Sequence, residues 1–525
     1  MKTLTDYTSY ADALAHWGPD KLWELFDGDT QQLNIAHECI DRHATDSERV
    51  AITVVHASGE DEALTFQSLS QDSSRFANYL VSRGVVKGDR VAIMLEPSRA
   101  FYVALFGVIK SGAIAVPLFT LFGPDALRLR VQDCLPRLLV TNQEKAQLSE
   151  GLTETETLVM DEGFLASLDA YPAHFKTTTS ASALAIFQYT SGTTREMPDA
   201  IKHTHKAIVT LMVAALYGTG LRPGDKYFCP SSPAWGHGLW HGTLAPLAMG
   251  ISIGAFAGRF NADRLLDALA QHQFTNMSAA ATHYRMMRNS PEIEKHSYAI
   301  KKLSFTGEPL DSSTETYIEG VFDAKVCSMY GTTEIGVILV SYPGASDFPV
   351  RKGSLGKPIP GAVVEVQDIE GKPCAPNEIG EMKVWRREEW VATKDLGRID
   401  EDGYFYHAGR ADDVIISAGW TMSAVEIEDT LLKHPDIREA AAIGVPDALR
   451  GQVVKAFVVS NRQATPAFTK EIQDFVRNQL SQHEYPRHVA FVSELPKTPA
   501  GKTHRKKLRE QEAALAEQSI EQITQ

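Results

Sequence analysis

Two rhythms of apolar residues take turns along the chain. Short segments dominated by apolar residues appear at Asp89–Leu95, Ile114–Leu118, Leu138–Thr141 and Ala185–Phe187, and their length and flanking turn residues predict buried strands. Between them stand segments with helical spacing, Leu69 to Ser82 and Phe101 to Ser111, the second closed by Gly112 as a C-terminal cap. Strand, helix, strand in this order predicts α/β layers around a parallel sheet. Further on, Ala279-Ala-Ala-Thr282-His283-Tyr284-Arg285, Leu303 to Leu310 and Val326 to Glu334 read as apolar strands running into polar turns. Such turns lie at the carboxyl ends of strands, where ligands of open α/β sheets collect.

The pattern then changes. From Gly353 to Arg398 glycines multiply, and the alternation in Val363-Val364-Glu365-Val366 and Met382-Lys383-Val384-Trp385 predicts a small antiparallel β subdomain. A domain boundary is expected at Asp412, giving domains 1–411 and 412–525. The second is expected to be α+β: strand 414–417, helix 424–433, strands 440–445 and 453–460, helix 469–480 and strand 489–491. Trp17, Trp23 and Phe26 have spacings suited to helix packing and predict a cap on the core.

A chain of 525 residues can hold several cores. Its net charge of −14 argues against sequence-independent nucleic-acid binding and against attachment to an anionic membrane. The five cysteines, Cys39, Cys134, Cys229, Cys327 and Cys374, form no CxxC pair, so neither a disulfide framework nor a zinc site is expected. Scattered reduced cysteines suit a cytoplasmic protein. No apolar leader follows Met1, so no secretion signal is expected, and no run is long enough for a membrane span.

Candidate chemistry begins at Tyr189-Thr-Ser-Gly-Thr-Thr-Arg195, a polar loop leaving a buried strand. Its glycine lets backbone N–H groups turn toward an anion and its hydroxyls add donors, so it can cradle phosphate or simply be solvated. His203 and His205 have no acidic or cysteine partner at ligand spacing and read as helix-entry residues. The segment Trp235-Gly-His237-Gly238-Leu239-Trp240-His241-Gly242 is either a cavity wall where backbone approaches a flat ligand, or a tight helix-start turn with core tryptophans. Near the C-terminus a Pro/Gly-rich loop presents Lys502, and the basic run 505–509 reads as a solvated helix face.

Taken in order, these motifs resemble the adenylate-forming superfamily of acyl- and aryl-CoA synthetases, peptide-synthetase adenylation domains and firefly luciferase. The resemblance, from about residue 60 to 510, implies that family's fold: a large N-terminal domain of layered α/β subdomains plus a small β subdomain, and a small mobile α+β C-terminal domain. It implies that Thr190, Ser191, Gly192, Thr193 and Thr194 wrap the ATP phosphates. By the same resemblance Gly307, Glu308 and Pro309 form the adenine-side turn, Tyr330, within Tyr330-Gly331-Thr332, stacks on adenine, and Thr333 and Glu334 meet phosphate and Mg2+. Asp395 matches the ribose-binding carboxylate, Arg410 a ribose or phosphate contact and Asp412 the hinge. Lys502 matches the lysine that reaches the substrate carboxylate and α-phosphate. Gly419 and Trp420 lie where relatives form the CoA tunnel. The aromatic segment is similar to that of benzoate-type ligases and places Trp235, His237, Gly238 and Leu239 against the acid.

Two positions depart from the family pattern. The usual Gly-x-Pro-Lys-Gly after the phosphate loop is Arg195-Glu196-Met197-Pro198-Asp199-Ala200 here, and Thr421 stands where relatives often carry arginine. The implied activity is an ATP-dependent acid:CoA ligase (an AMP-forming acid–thiol ligase) favouring an aromatic or cyclic acid. Alternatives are a medium-chain fatty acyl-CoA synthetase, an enzyme passing the acyl group to a carrier protein, and a non-catalytic acyl-nucleotide binder. The expected partners are the acid, ATP and CoA, with a homodimer as an option.

Overall fold

Strand residues Val91, Ala92, Ile93 and Met94 are all fully buried, as expected of a parallel strand covered on both faces. The computed structural model describes residues 2–152, 155–189, 200–332, 335–410, 415–417, 420–422, 424–447, 451–480, 485–498 and 503–524. It divides into two compact units.

The first unit comprises Met1–Thr306, Ile318–Val350 and Ile359–Gly361. One of its sheets has six strands in the order Glu156–Val159, Leu138–Thr141, Arg90–Met94, Ile114–Pro117, Leu184–Gln188 and Ile201–Thr204. The first five are parallel and the last returns antiparallel. A second run of strands is Gly336–Val340, Val326–Thr332, Lys302–Thr306, Asn276–Ala280, Lys226–Cys229, Ser252–Ala257, Val50–His56 and Asp61–Thr65. Its inner strands are parallel, and Gly336–Val340 and Asp61–Thr65 pair antiparallel.

Helix Phe66–Ser82 starts at a capping box in which Thr65 and Ser68 exchange hydrogen bonds. Helix Arg99–Ser111 is buried almost all round and ends at Gly112 in the left-handed region, φ 82°. Within that burial Lys110 is held by Asp41 at 2.6 Å, the Ser70 carbonyl at 2.9 Å and Ser74 Oγ at 3.0 Å. A buried ammonium needs that full set of partners.

Three local expectations change. His203 and Thr204 belong to the strand Ile201–Thr204, and the helix begins only at Ala207. The open hydrogen bonds beside Leu184–Gln188 take up this segment in register Ile186↔His203 and Gln188↔Ile201, which outweighs its local helix signals. Thr282 to Arg285 lie in helix Ala281–Arg288 rather than in a turn. Trp17 caps the short α-helix Tyr10–His16, whereas Trp23 lies in a 3-10 helix, Pro19–Leu25, opened by Pro19.

The second unit comprises Gly307–Tyr317, Arg351–Pro358 and Ala362–Gln525. Strands Val364–Gln367, Gly380–Arg386, Glu389–Ile399, Phe405–Arg410 and Ser354–Pro358 form an antiparallel succession. The predicted alternation holds there, with Val364 opposite Val384 and Val366 opposite Met382. Beyond it, Ile437–Asp447 and Gly451–Ser460 pair antiparallel, His488–Phe491 adds in parallel, and helices Ala424–Leu432 and Pro466–Gln479 contribute to one core. Glu428 joins these layers by accepting from Ala442 N–H at 2.7 Å and from Arg505 Nε at 2.9 Å. Ile472 is fully buried in this core. Ile472→Ala should cost about 2–5 kcal/mol, read as a lower midpoint in urea denaturation.

Candidate functional site

In the first unit the segment after strand Lys226–Cys229 turns back as a π-helix, His237–Leu244, an uncommon geometry that clusters at functional sites. Two glycines let it press against the strand end. A Cβ at Gly238 would stand 2.2 Å from the Ser232 carbonyl oxygen, and one at Gly242 would stand 2.9 Å from Cys229 Sγ. Gly238 thus serves a close backbone approach within the protein, whereas the sequence alone allowed a ligand to be what approached it. Leu239 is fully buried, and Trp240 is 6% exposed with its indole N–H donating to Gln188 Oε1 at 3.0 Å. Trp235 is half-buried, its ring 5.4 Å from that of His237. Of the two expected readings, Trp240 follows the core one and Trp235 stands at the margin.

His237 is buried with both ring nitrogens engaged, Nδ1 by Ser231 Oγ at 2.9 Å and Nε2 by Ser278 Oγ at 2.8 Å. Burial first, then His241 and His283, pushes its pKa well below the ordinary histidine value. It is neutral at physiological pH and acts as a fixed donor–acceptor plate rather than a cation. Ser231, Ser278, Cys229 and Gln188 were not singled out in the sequence. Ser278 arrives through the parallel pairing of Asn276–Ala280 with Lys226–Cys229, Gln188 comes from the end of a strand in the other sheet, and Ser231 and Cys229 stand just before His237 in the chain.

On strand Val326–Thr332 the register shifts between half-buried Tyr330 and Gly331. A Cβ at Gly331 would lie 2.1 Å from the Gly336 carbonyl oxygen, so the bulge requires glycine there and re-aims its neighbours. Thr332 closes the strand.

In the second unit Gly307 has φ 96° and is exposed, Glu308 is half-buried and Pro309 exposed. Asp395 is buried, its backbone N–H donating to Thr393 Oγ1 at 3.1 Å, with His407 Nε2 3.6 Å from Oδ1. Its register partner on the adjacent strand is Arg410, so the two residues that the resemblance assigns to the ribose side are directly opposed across one pairing. Lys394, just before it, has φ 63°. A left-handed lysine inside a strand is strained, and such strain gathers at functional positions. Trp420 lies on strand Trp420–Met422. Thr190 to Thr194, Thr333, Glu334, Asp412, Gly419 and Lys502 lie outside the described residues.

Among the described residues one trio, His434, Asp436 and Glu471, has atoms close enough to hold a metal. Its wiring opposes one: His434 Nδ1 accepts Asp436 N–H at 3.2 Å, which leaves the proton on Nε2, 3.4 Å from Glu471. Arg462 already pairs with Glu471 at 2.9 Å and with Asp436 at 3.4 Å.

The AMP-binding enzyme family matches residues 40–392, and the AMP-binding enzyme C-terminal domain matches 426–502. An uncharacterized acyl-CoA ligase of Bacillus subtilis is 29% identical, over 92% of this chain and 97% of that one. Acetyl-coenzyme A synthetase of the same organism is also 29% identical, over 91% of each chain. An anthranilate CoA ligase solved with anthranoyl-AMP superimposes with a TM-score of 0.84 at 26% identity, over 93% of this chain and 99% of that one. Among the described residues no helix is long and apolar enough to cross a membrane.

In the first unit His205, fully buried, accepts the Ile35 N–H on Nδ1 at 3.2 Å, and burial holds its pKa at about 4. Unfolding restores its ordinary value of 6.5, so the unfolded chain binds a proton that the folded one refuses. Stability should therefore fall as pH drops from 6.5 toward 4, with His205 contributing up to roughly 3 kcal/mol of the loss. His205→Asn, which keeps an acceptor for Ile35, should flatten that slope in pH-dependent thermal melts.

Proposed function

The chain belongs to the AMP-binding enzyme family and is an AMP-forming acyl-CoA ligase, and on that premise we propose that the acid it activates is aromatic or cyclic. The observation that carries this reading is the His237 plate, neutral and clamped between Ser231 and Ser278 beside half-buried Trp235. A flat ring stacks against such a pre-ordered aromatic wall at low entropic cost. The likeness to the anthranilate ligase points the same way. The acetyl-CoA synthetase relative supports a second reading with a short-chain acid.

In this reading a carboxylate oxygen attacks the α-phosphorus of ATP, forming the acyl-AMP bond as the bond to pyrophosphate breaks. The CoA sulfur then attacks the acyl carbon, the thioester forms and AMP departs with the electron pair. Thr190 to Thr194 hold the phosphates, Tyr330 and the Gly307–Pro309 turn take adenine, and Asp395 with Arg410 takes the ribose. The ammonium of Lys502 offsets charge gathering during the first step, an effect on the order of 3 kcal/mol of barrier. Magnesium at Glu334 would offset the charge moving onto pyrophosphate, and this rests on the resemblance alone. A turn at Asp412 then withdraws Lys502 and brings Gly419 and Trp420 toward the thiol path.

Incubation with ATP, magnesium, CoA and a panel of aromatic, cyclic and C4 to C10 acids tests the reading through AMP and acyl-CoA release. Ring acids should lead; equal use of straight-chain acids would remove the aryl preference. Lys502→Ala should lower acyl-AMP formation about a hundredfold while largely sparing CoA thiolysis of supplied acyl-AMP.

A further inference from the structure

The Trp240 indole decides which way the Gln188 carboxamide faces. An indole N–H only donates, so its contact at 3.0 Å fixes Oε1 toward Trp240 and turns the amide nitrogen away from it. That nitrogen is enclosed and has no hydrogen-bond partner, and Gln188 is 2% exposed. The carboxamide lies against Gly236: the three nearest atoms that a Cβ there would meet all belong to Gln188, with Oε1 and Nε2 both at 3.6 Å. Gly236 stands between Trp235 and His237.

Two further enclosed nitrogens without partners border this patch, Nε2 of His203 and Nδ1 of His241. The His203 ring packs edge-on to Trp240 at 4.8 Å, and the His241 ring is 6.1 Å from that of His237. A buried amide donor left without an acceptor loses its solvation uncompensated, and folded interiors ordinarily remove that cost with an internal partner.

We infer that Gln188 is a specificity-determining residue whose Nε2 donates a hydrogen bond to an oxygen or nitrogen on the body of the acid, apart from its carboxylate. This rests on the reading of Trp235 to Leu239 as the wall against which the acid sits. The acid class is then a ring acid bearing a carbonyl, hydroxyl, ether or ring-nitrogen acceptor. A pocket with a waiting donor rejects the analogue that lacks the acceptor far more strongly than an apolar pocket rejects a missing methylene.

The test uses the full chain and ring acids carrying a keto or aza group at each position, each paired with its carbocyclic parent. AMP release gives kcat/KM, and calorimetric titration gives binding without turnover. The wild type should favour one substituted acid over its parent by roughly 10- to 100-fold, and Gln188→Met should bring that ratio close to one. Gln188→Glu keeps an oxygen for Trp240 and withdraws the amide donors, so at pH 8 it should also lose the preference; it serves if the methionine variant melts early. No preference in the wild type would overturn the inference, leaving water as the tenant of that nitrogen. Equal loss on both members of a pair would also overturn it, because the amide would then serve the shared carboxylate. Gln188-dependent binding without AMP release from any acid would support the site and sink the ligase reading; AMP release with a ratio indifferent to Gln188 would do the reverse.

Discussion

Parallel strands buried on both faces leave little room for chemistry along their length, and this constraint organises the first unit. Val91 to Met94 and Ile114 to Pro117 are closed off by the layers around them, so polar groups are concentrated where strands end. Gln188 closes one strand, Ser231 follows another just past Cys229, and Thr332 closes a third. Ser278 is a mid-strand hydroxyl, and the His237 ring meets its demand for a partner.

Much of this order was legible in the chain. The alternation of apolar runs and helical segments gave the layers because burial on two faces requires unbroken apolar strands. The glycine-rich stretch gave the antiparallel subdomain because period-two alternation has few other solutions. What stayed hidden was set by distant partners. His203 reads as a helix entry until Ile186 on the neighbouring strand pairs with it, and the opposition of Asp395 and Arg410 depends on a register with a shift between Leu396 and Gly397. The glycines at 238 and 242 announced a close approach, but the identity of the approaching surface, the Cys229–Ser232 corner, required the fold.

Unusual backbone gathers where ligand chemistry is assigned. Lys394 in the left-handed region, Gly409 at φ 120° and the register shifts beside Tyr330 and Leu396 all sit next to residues matched to nucleotide contacts. Each departure costs free energy that surrounding packing must offset. The burial of histidines adds a second cost of the same kind. His203, His205 and His241 are held neutral, with pKa values at about 4, so the first unit carries an internal sensitivity to acid that is separate from any catalytic titration.

The wide turn from His237 to Leu244 has a consequence for divergence. A π-helical turn accommodates one residue more than an α-helical turn over the same rise, so a single insertion or deletion can be absorbed there while both flanks keep their positions. Lineages built on this scaffold can reshape that wall by changing chain length as well as side chains, with the sheets behind it undisturbed.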